Sequence, residues 1–170
     1  FYKNIFRLPT FNDLYYSLVG KRDLKPEDAQ QFNLGLTYGI SGSDRLPFLS
    51  FAADAYRNTI KNKIVAVPVK NMFEWSMVNY GKVRIDGIDL SLESIFKLPH
   101  EMSLSAGGTF SYQQALNMTQ PNSSTYKNQI PYSPRLSGAA RATVEMPWFT
   151  LSYTLLWSGI RYALAENIPQ

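Results

Sequence analysis

The sequence predicts an all-β protein, an antiparallel up-and-down sheet of the type that forms transmembrane β-barrels. Three observations lead to this prediction: long segments of alternating apolar and polar residues, connections that are alternately long and short, and aromatic residues near the segment ends. A β-strand produces a side-chain period of two. In segment 31–40 the apolar set is Phe32, Leu34, Leu36, Tyr38 and Ile40, and the other set is Gln31, Asn33, Gly35, Thr37 and Gly39. The second set is small and polar rather than charged, which suits the watery interior of a membrane barrel.

The same alternation recurs along the chain, and residues 1–6 are also rich in strand-forming side chains. The further segments are 49–65, 83–96, 102–113, 136–146 and 149–158, which gives about seven strands in all. Segment 49–65 is far longer than the usual strand of about 5–6 residues. Segment 102–113 shows the clearest alternation, with Leu104 expected at mid-strand on the lipid face.

The connections between these segments alternate strictly in length. The long ones are 10–28, 67–77 and 117–129, and the short ones are 41–46, 97–100 and the turn at Pro147. An antiparallel sheet with this order has one smooth rim and one loop-rich rim. Outer-membrane barrels have this arrangement, with short periplasmic turns and long outer loops.

Aromatic residues lie near both predicted rims. Those beside the short turns are Phe48, Phe96, Trp148 and Phe149, and those toward the other end are Tyr56, Tyr112 and Tyr132. Two aromatic girdles at the membrane–water interfaces would give this distribution. The core of a soluble β-sandwich also contains many aromatic residues, so a soluble β-sandwich binding module stays open as an alternative.

The composition excludes several classes of protein. The chain of 170 residues has no Cys, so it has no disulfide framework and no thiolate metal site. No run approaches the roughly 18 apolar residues of a membrane helix. The net charge of +4 is spread along the chain without a basic block, so no nucleic-acid partner is predicted. The sequence begins at Phe1 without a signal segment, and we expect it to be a piece of a longer protein.

Several blocks of the sequence, taken in order, resemble one family, the TonB-dependent outer-membrane receptors. They are FRLPTFNDLY at 6–15, DLKPE at 23–27, FNLGLTY at 32–38, YRNTIKNKI at 56–64 and NYGKVRIDGIDL at 79–90. Their occurrence in this order is far more specific than any one of them alone, and the similarity covers nearly the whole chain.

The resemblance implies a fold and a function. Family barrels have 22 strands around an N-terminal plug, so residues 1–170 would be the C-terminal portion of the barrel domain, without the plug domain and the last strand. The implied function is active transport across the bacterial outer membrane with energy from the TonB system, without enzymatic activity and without a cofactor. The implied partners are outer-membrane lipid and lipopolysaccharide, the TonB complex through the plug domain, and a small-molecule metal chelate or cobalamin-like ligand.

The resemblance also limits the ligand. Haem-binding members carry an arginine-proline box, a downstream Asn-Pro-Asn-Leu box and a ligating His between the two. Here Lys21, Arg22, Asp23 and Leu24 stand at the place of the second box, and no His lies in residues 1–99. Haem ligation by that route is therefore not expected, whereas iron chelates and cobalamin remain candidates.

Three groups of residues are candidates for the site. Rigid aromatic side chains at a barrel mouth are good anchors for a ligand, and those in the predicted outer loops are Tyr15, Tyr16, Phe73 and Trp75. A basic group at the loop-rich end suits an anionic chelate on the inside or lipopolysaccharide phosphates on the outside, and we take Arg57, Lys82 and Arg84 from it as ligand-binding candidates. Wall residues predicted to face the plug are Asp89, Glu93 and Arg141. No metal site is predicted.

The alternatives differ in what they require. A passive porin would share the alternation but needs no plug. A barrel enzyme would need a nucleophile with a His, and the one His of the chain, His100, lies in a predicted short turn. A soluble β-sandwich would bury both of its sheets' apolar faces.

Overall fold

A computed structural model shows one antiparallel sheet whose seven strands follow one another in sequence order. The structure describes residues 1–42, 44–68 and 74–167. The strands are β1 (Tyr2–Arg7), β2 (Glu27–Ser41), β3 (Phe48–Pro68), β4 (Trp75–Leu98), β5 (Met102–Asn117), β6 (Leu136–Glu145) and β7 (Thr150–Ser158). A short helix, α1 (Phe11–Tyr15), lies between β1 and β2. In the described ranges no helix is long and apolar enough to cross a membrane. The predicted up-and-down sheet is confirmed.

One face of the sheet is apolar from strand to strand. Directly paired residues of antiparallel strands share a face, and Leu34 pairs with Ala55, Ala55 with Ile88 and Ile88 with Tyr112. We call this the outward face. Its other members include Leu36, Tyr38, Ile40, Phe51, Leu90, Leu92, Leu104, Phe110, Leu151, Tyr153, Leu155 and Trp157. We call a set of residues paired across neighbouring strands a row. From the row of Ala55 down to the short turns, this face carries no charged side chain in β2 to β7.

The opposite face is small and polar, and we call it the inward face. Its members include Asn33, Gly35, Thr37, Ser50, Asp54, Asp89, Ser91, Glu93, Gly107, Thr109, Ser111, Arg141, Thr143, Ser152 and Thr154. This is the inward polar set predicted from the alternation. Each strand therefore separates an apolar environment from a wet one.

No described residue forms a layer over the outward face. Leu34 is 78% exposed and Leu151 is 64% exposed. A soluble sandwich would bury these side chains beneath a second sheet, whereas a sheet in hydrocarbon leaves them for lipid. The architecture therefore excludes the β-sandwich that the aromatic content had left open.

Two predicted connections are shorter or more ordered than expected. β3 and β4 remain paired up to Pro68 and Trp75, so the connection between them spans 69–74 instead of 67–77. β-branched residues such as Val65 and Val78, which face each other, favour this extension. The predicted loop 10–28 contains α1, and β2 begins earlier, at Glu27.

The aromatic girdles are confirmed only in part. Phe96 and Tyr112 lie on the outward face, at opposite ends of the band. Tyr56 lies on the inward face, where its ring covers Gly87 and its hydroxyl donates to Gln113 Oε1 at 3.3 Å. A Cβ at Gly87 would clash with this ring, so the absence of a side chain there makes room for it. Phe48 also faces inward, because it pairs with Ile95.

A small apolar core lies on the inward face at the loop-rich end. It consists of Ala29, Ile60, Val83, Ala115 and Ile130. Ile130 belongs to the β5–β6 connection and donates its N–H to the carbonyl oxygen of Ala115 at 2.8 Å. The chain after β7 joins this layer, since the backbone N–H of Tyr132 donates to the carbonyl oxygen of Tyr162 at 2.8 Å. The outer connections therefore pack inward on the wall.

The two-faced sheet predicts that the cost of a charge depends on face and depth. Leu92 pairs with Phe51 and Gly108 near the middle of the outward band. Leu92→Arg in the full-length receptor should cost about 2–4 kcal/mol of stability in lipid, because it places a cation at the midplane. Unfolding in lipid vesicles and the yield of assembled barrel measure the effect.

The control is Ser91→Arg, which puts the same charge at the same height on the inward face. Leu104→Arg should cost less than Leu92→Arg, because Leu104 pairs with Phe96 near the short-turn rim rather than at mid-strand. Equal losses for Leu92→Arg and Ser91→Arg would contradict the assignment of the faces.

Candidate functional site: the mouth and the lumen wall

The β1–β2 loop, residues 8–26, begins with a capped helix. The Thr10 hydroxyl accepts from the Asp13 N–H at 3.2 Å, and the Asp13 carboxylate accepts from the Thr10 N–H at 2.9 Å, which makes a capping box. Arg7 Nη2 lies 3.0 Å from the same carboxylate. Burial raises the pKa of Asp13, but the hydrogen bonds from Thr10 and the charge of Arg7 outweigh it, so that pKa lies below its usual value.

Glu27 joins this loop to the sheet. Its buried Oε1 accepts from the Ile64 N–H of β3 at 2.7 Å. The same oxygen lies 3.2 Å from Arg7 Nη1 and 3.8 Å from Lys63 Nζ. A buried carboxylate is tolerated when it is paired and hydrogen-bonded in this way. Arg7 therefore links Asp13 of the loop to Glu27, its partner at the loop-rich end of β1 and β2.

Asn79 holds the other end of the loop. Its Nδ2 donates to the carbonyl oxygens of Lys25 at 3.0 Å and Asn62 at 2.8 Å, and its Oδ1 accepts from the Lys25 N–H at 2.8 Å. The Met77 N–H donates to the carbonyl oxygen of Val19 at 2.9 Å. The loop thus crosses from β2 to β4 on the inward face. It lies at the loop-rich end of the sheet, which we call the mouth.

The loop displays aromatic and aliphatic side chains at the mouth. Tyr15 and Tyr16 are 50% and 62% exposed, and Phe11 is 75% exposed. The Tyr15 ring lies 4.9 Å from the Phe11 ring, and the Arg22 guanidinium carbon lies 5.4 Å from the Tyr15 centroid. Leu18 is 98% exposed on a backbone with φ of 79°. Sequence reasoning missed Leu18, because no periodicity marks a single residue in an irregular loop.

Trp75 lies at the same end of the sheet. It starts β4, and its ring centroid is 5.3 Å from that of Tyr132 in the β5–β6 connection. Met77, where the β1–β2 loop attaches, is close by on the same strand. The structure therefore brings the elements that carry Tyr15, Tyr16 and Trp75 to one mouth. Phe73 lies outside the described residues.

A cavity of about 380 Å³, with both polar and apolar lining residues, lies between these elements. Its lining includes Lys21, Asp23, Lys25, Asn62, Asn79 and Thr119. Lys21 and Asp23 are 3.5 Å apart, and Thr119 Oγ1 accepts from the Lys82 N–H at 3.1 Å. Amide, hydroxyl and ammonium groups that converge in one cavity are typical of a site for a polar small molecule.

Further down, between the level of Asp54 and the level of Arg141, the inward face carries four charged side chains, which we call the lumen wall: Asp54, Asp89, Glu93 and Arg141. Asp54 and Asp89 pair directly across β3 and β4, and Asp89 accepts from the Ser111 hydroxyl. Glu93 and Arg141 flank Gly107 and line a cavity of about 280 Å³. In the part of the chain that the structure describes, none of the four forms an ion pair.

Sequence reasoning found three of these wall residues and missed Asp54. The alternation in segment 49–65 assigns Asp54 to the polar set. Its position opposite Asp89 follows only from the register of two long strands, which no local pattern specifies.

The three basic candidates lie on strands rather than in loops. Arg57, Lys82 and Arg84 belong to the loop-rich ends of β3 and β4, which run beyond their predicted bounds. The register places them on the outward face, since Arg57 pairs with both Phe32 and Asp86. They are therefore on the opposite side of the sheet from the lumen wall.

Within the described ranges, no group of three or more His, Asp or Glu side chains is arranged to hold a metal ion. His100 lies in the turn between β4 and β5, with φ of 63°.

The sheet has an apolar outward face, a polar inward face and outer loops that fold inward. These features define the class of protein as an outer-membrane-type β-barrel, of which this chain forms part of the wall. Residues 2–168 match the family model described as TonB dependent receptor-like, beta-barrel. The chain belongs to this family.

Similar proteins include two vitamin B12 transporters named BtuB. The one from Vibrio vulnificus is 34% identical over 92 residues, which are 54% of this chain and 14% of that protein. The one from Photobacterium profundum is 32% identical over 89 residues, 51% of this chain and 14% of that protein. The chain thus covers only a small part of the length of these relatives. The relatives are transporters rather than enzymes.

A solved structure with the same fold is that of the copper transporter OprC. It matches with a TM-score of 0.64 and 18% identity, over 90% of this chain and 23% of the OprC chain. At this identity the likeness supports the fold alone.

The Arg7–Asp13–Glu27 contacts predict that the order of the β1–β2 loop depends on pH. Because the folded pKa of Asp13 is lowered, its contribution to stability is present above its unfolded pKa of about 3.9 and is lost as the pH falls through the folded value. Asp13→Asn should remove about 1–3 kcal/mol of local stability near pH 7, because it breaks hydrogen bonds to a charged group. Hydrogen exchange of residues 10–16 measures this loss.

The control is Asp23→Asn in the same loop. Asp23 has a 72% exposed side chain and pairs only with Lys21 in the described residues, so protection should stay unchanged. Equal protection of residues 10–16 in Asp13→Asn and the unmodified receptor would contradict the role of these contacts.

Proposed function

We propose that this chain forms part of the barrel wall and mouth of an outer-membrane active-transport receptor, which imports a scarce ligand with energy from the TonB system. The observation that carries the proposal is the inward fold of the β1–β2 loop, fixed to β4 through Asn79. This loop holds the exposed Tyr15 and Tyr16 rings at the mouth, where they can serve as anchors for a ligand. Family membership over residues 2–168 supports the same function.

A cobalamin-type ligand is the substrate that the available features support best. The two vitamin B12 transporters are similar over about half of this chain. A large ligand with amide groups suits a mouth that combines exposed Tyr15 and Tyr16 rings with a cavity lined by Asn62, Asn79 and Thr119. Iron chelates are the second candidate, because Lys21 and Lys25 would favour an anionic ligand.

The lumen wall is proposed to contact the plug domain of the receptor. Asp54 and Asp89 are opposed carboxylates without a cationic partner among the described residues. Like charges directly opposite each other destabilise a strand pair. A basic side chain from the plug would offset this repulsion, and an acidic one would pair with Arg141.

Binding of the ligand at the mouth is tested in the full-length receptor with labelled cyanocobalamin. Tyr16→Ala and Trp75→Ala should each weaken binding about tenfold or more, since truncating an aromatic anchor typically costs over 1 kcal/mol. Leu36→Ala, on the outward face, is the matched control and should bind normally. Saturable binding of a ferric chelate but not of cyanocobalamin would shift the substrate to the second candidate, and saturable binding of neither would overturn the proposal.

Contact between wall and plug is tested by neutral, nearly isosteric substitutions. The double variant Asp54→Asn/Asp89→Asn should assemble normally and keep its affinity for ligand, because the mouth is unchanged. It should lower the rate of uptake and raise the sensitivity of the plug to added protease. Ser91→Asn, on the same wall, serves as the control. Normal uptake together with normal protease resistance in the double variant would count against a plug contact here.

A further inference from the structure

The outward face carries an apolar groove just below its charged rim. The groove has a volume of about 710 Å³ and follows β3, where Ala55 provides a low floor. Leu34 of β2 and Ile88 of β4 flank this floor, and Phe32 and Tyr112 extend the two sides. A trough of this size with aliphatic and aromatic sides matches a lipid acyl chain.

Two arginines lie at the upper end of the groove. Arg57 Nε lies 2.6 Å and Arg84 Nε lies 2.9 Å from the two oxygens of Asp86. Arg57 and Asp86 both line the groove. Arg57 donates its Nε–H to Asp86, whereas Arg84 Nε is close to the same carboxylate without a hydrogen bond. The terminal amino groups of both guanidinium groups have no partner among the described residues and remain for an anion. One carboxylate balances only one of the two charges, and planar guanidinium groups suit a phosphate.

A second basic row lies directly above. Lys61 and Lys82 face each other across β3 and β4, and Asp28 pairs with Lys61 from β2. Opposed ammonium groups repel each other, so this row also favours an anion between them. The whole belt contains four cations and two carboxylates.

The height of the belt fits the headgroup layer. From Leu49 to Arg57, β3 rises about 26 Å at about 3.3 Å per residue. With the usual strand tilt this corresponds to roughly 20 Å, close to the apolar band of about 25 Å in outer-membrane barrels. The arginines therefore lie at the upper edge of the hydrocarbon, on the loop-rich side that faces the outer leaflet.

We propose that this groove and belt form a binding site for lipopolysaccharide, with a phosphate of its glucosamine head on Arg57 and Arg84 and an acyl chain over Ala55. Lipopolysaccharide is the phosphorylated lipid of the outer leaflet, whereas glycerophospholipids occupy the inner leaflet. The inference rests on the outer-membrane location proposed above. It assigns the basic candidates to lipid, because they lie on the opposite side of the sheet from the lumen.

The test uses the full-length receptor, purified from outer membranes in detergent, and purified lipopolysaccharide as the probe. Arg57→Gln/Arg84→Gln should weaken lipopolysaccharide binding about tenfold, and Ala55→Leu, which fills the groove without changing a charge, should also weaken it. Lys97→Gln/Lys127→Gln removes two charges elsewhere and should bind normally. Phosphatidylglycerol and inorganic phosphate should compete poorly.

Unchanged affinity in both groove variants would overturn the site. Phosphatidylglycerol competing as well as lipopolysaccharide would overturn the choice of lipid, and inorganic phosphate competing equally would overturn the role of the acyl groove. The same preparations are assayed for a folded barrel and for ligand binding. A folded, ligand-binding receptor with unchanged lipopolysaccharide affinity refutes this inference alone, whereas a protein absent from the outer membrane refutes the proposed function.

Discussion

The structure depends on the requirement that no backbone polar group is left unpaired in hydrocarbon. Hydrocarbon offers no hydrogen-bond partner, so the strands must satisfy one another through their ladders. Once the ladders are fixed, the side-chain period of two assigns each residue to one of two environments. Leu34 and Ile88 share the lipid side for this reason, and Asp54 and Asp89 share the lumen.

The same ladder also positions the mouth. β3 and β4 pair up to Pro68 and Trp75, well beyond the row in which Arg57 pairs with Asp86. This extension gives the β1–β2 loop a surface to attach to, through Asn62 and Asn79. A loop fixed at both ends keeps its aromatic residues at the opening. The long hairpin is thus a support for the mouth as well as part of the wall.

Local patterns predicted much of the fold but less of the site. The alternation assigned Leu36 and Leu92 to the apolar face correctly, because one face is in lipid and tolerates no charge. It left the face of Arg57 open, because a cation beyond the apolar band suits lipid phosphates on the outside as well as an anionic ligand on the inside. The partners of Tyr56 and Asp54 depend on register, which is set jointly by neighbouring strands.

The distribution of charge on the two faces has a common physical cause. On the outward face, Arg57 and Arg84 lie where lipid headgroups and water begin, because a charge deeper in the band would be in hydrocarbon. On the inward face, Glu93 and Arg141 lie at mid-height, where hydrocarbon is excluded by the sheet itself. A charged side chain is costly away from water unless an opposite charge pairs with it. The inward face therefore requires polar surroundings, either solvent or protein, in the lumen. The outward face below its charged rim requires apolar surroundings.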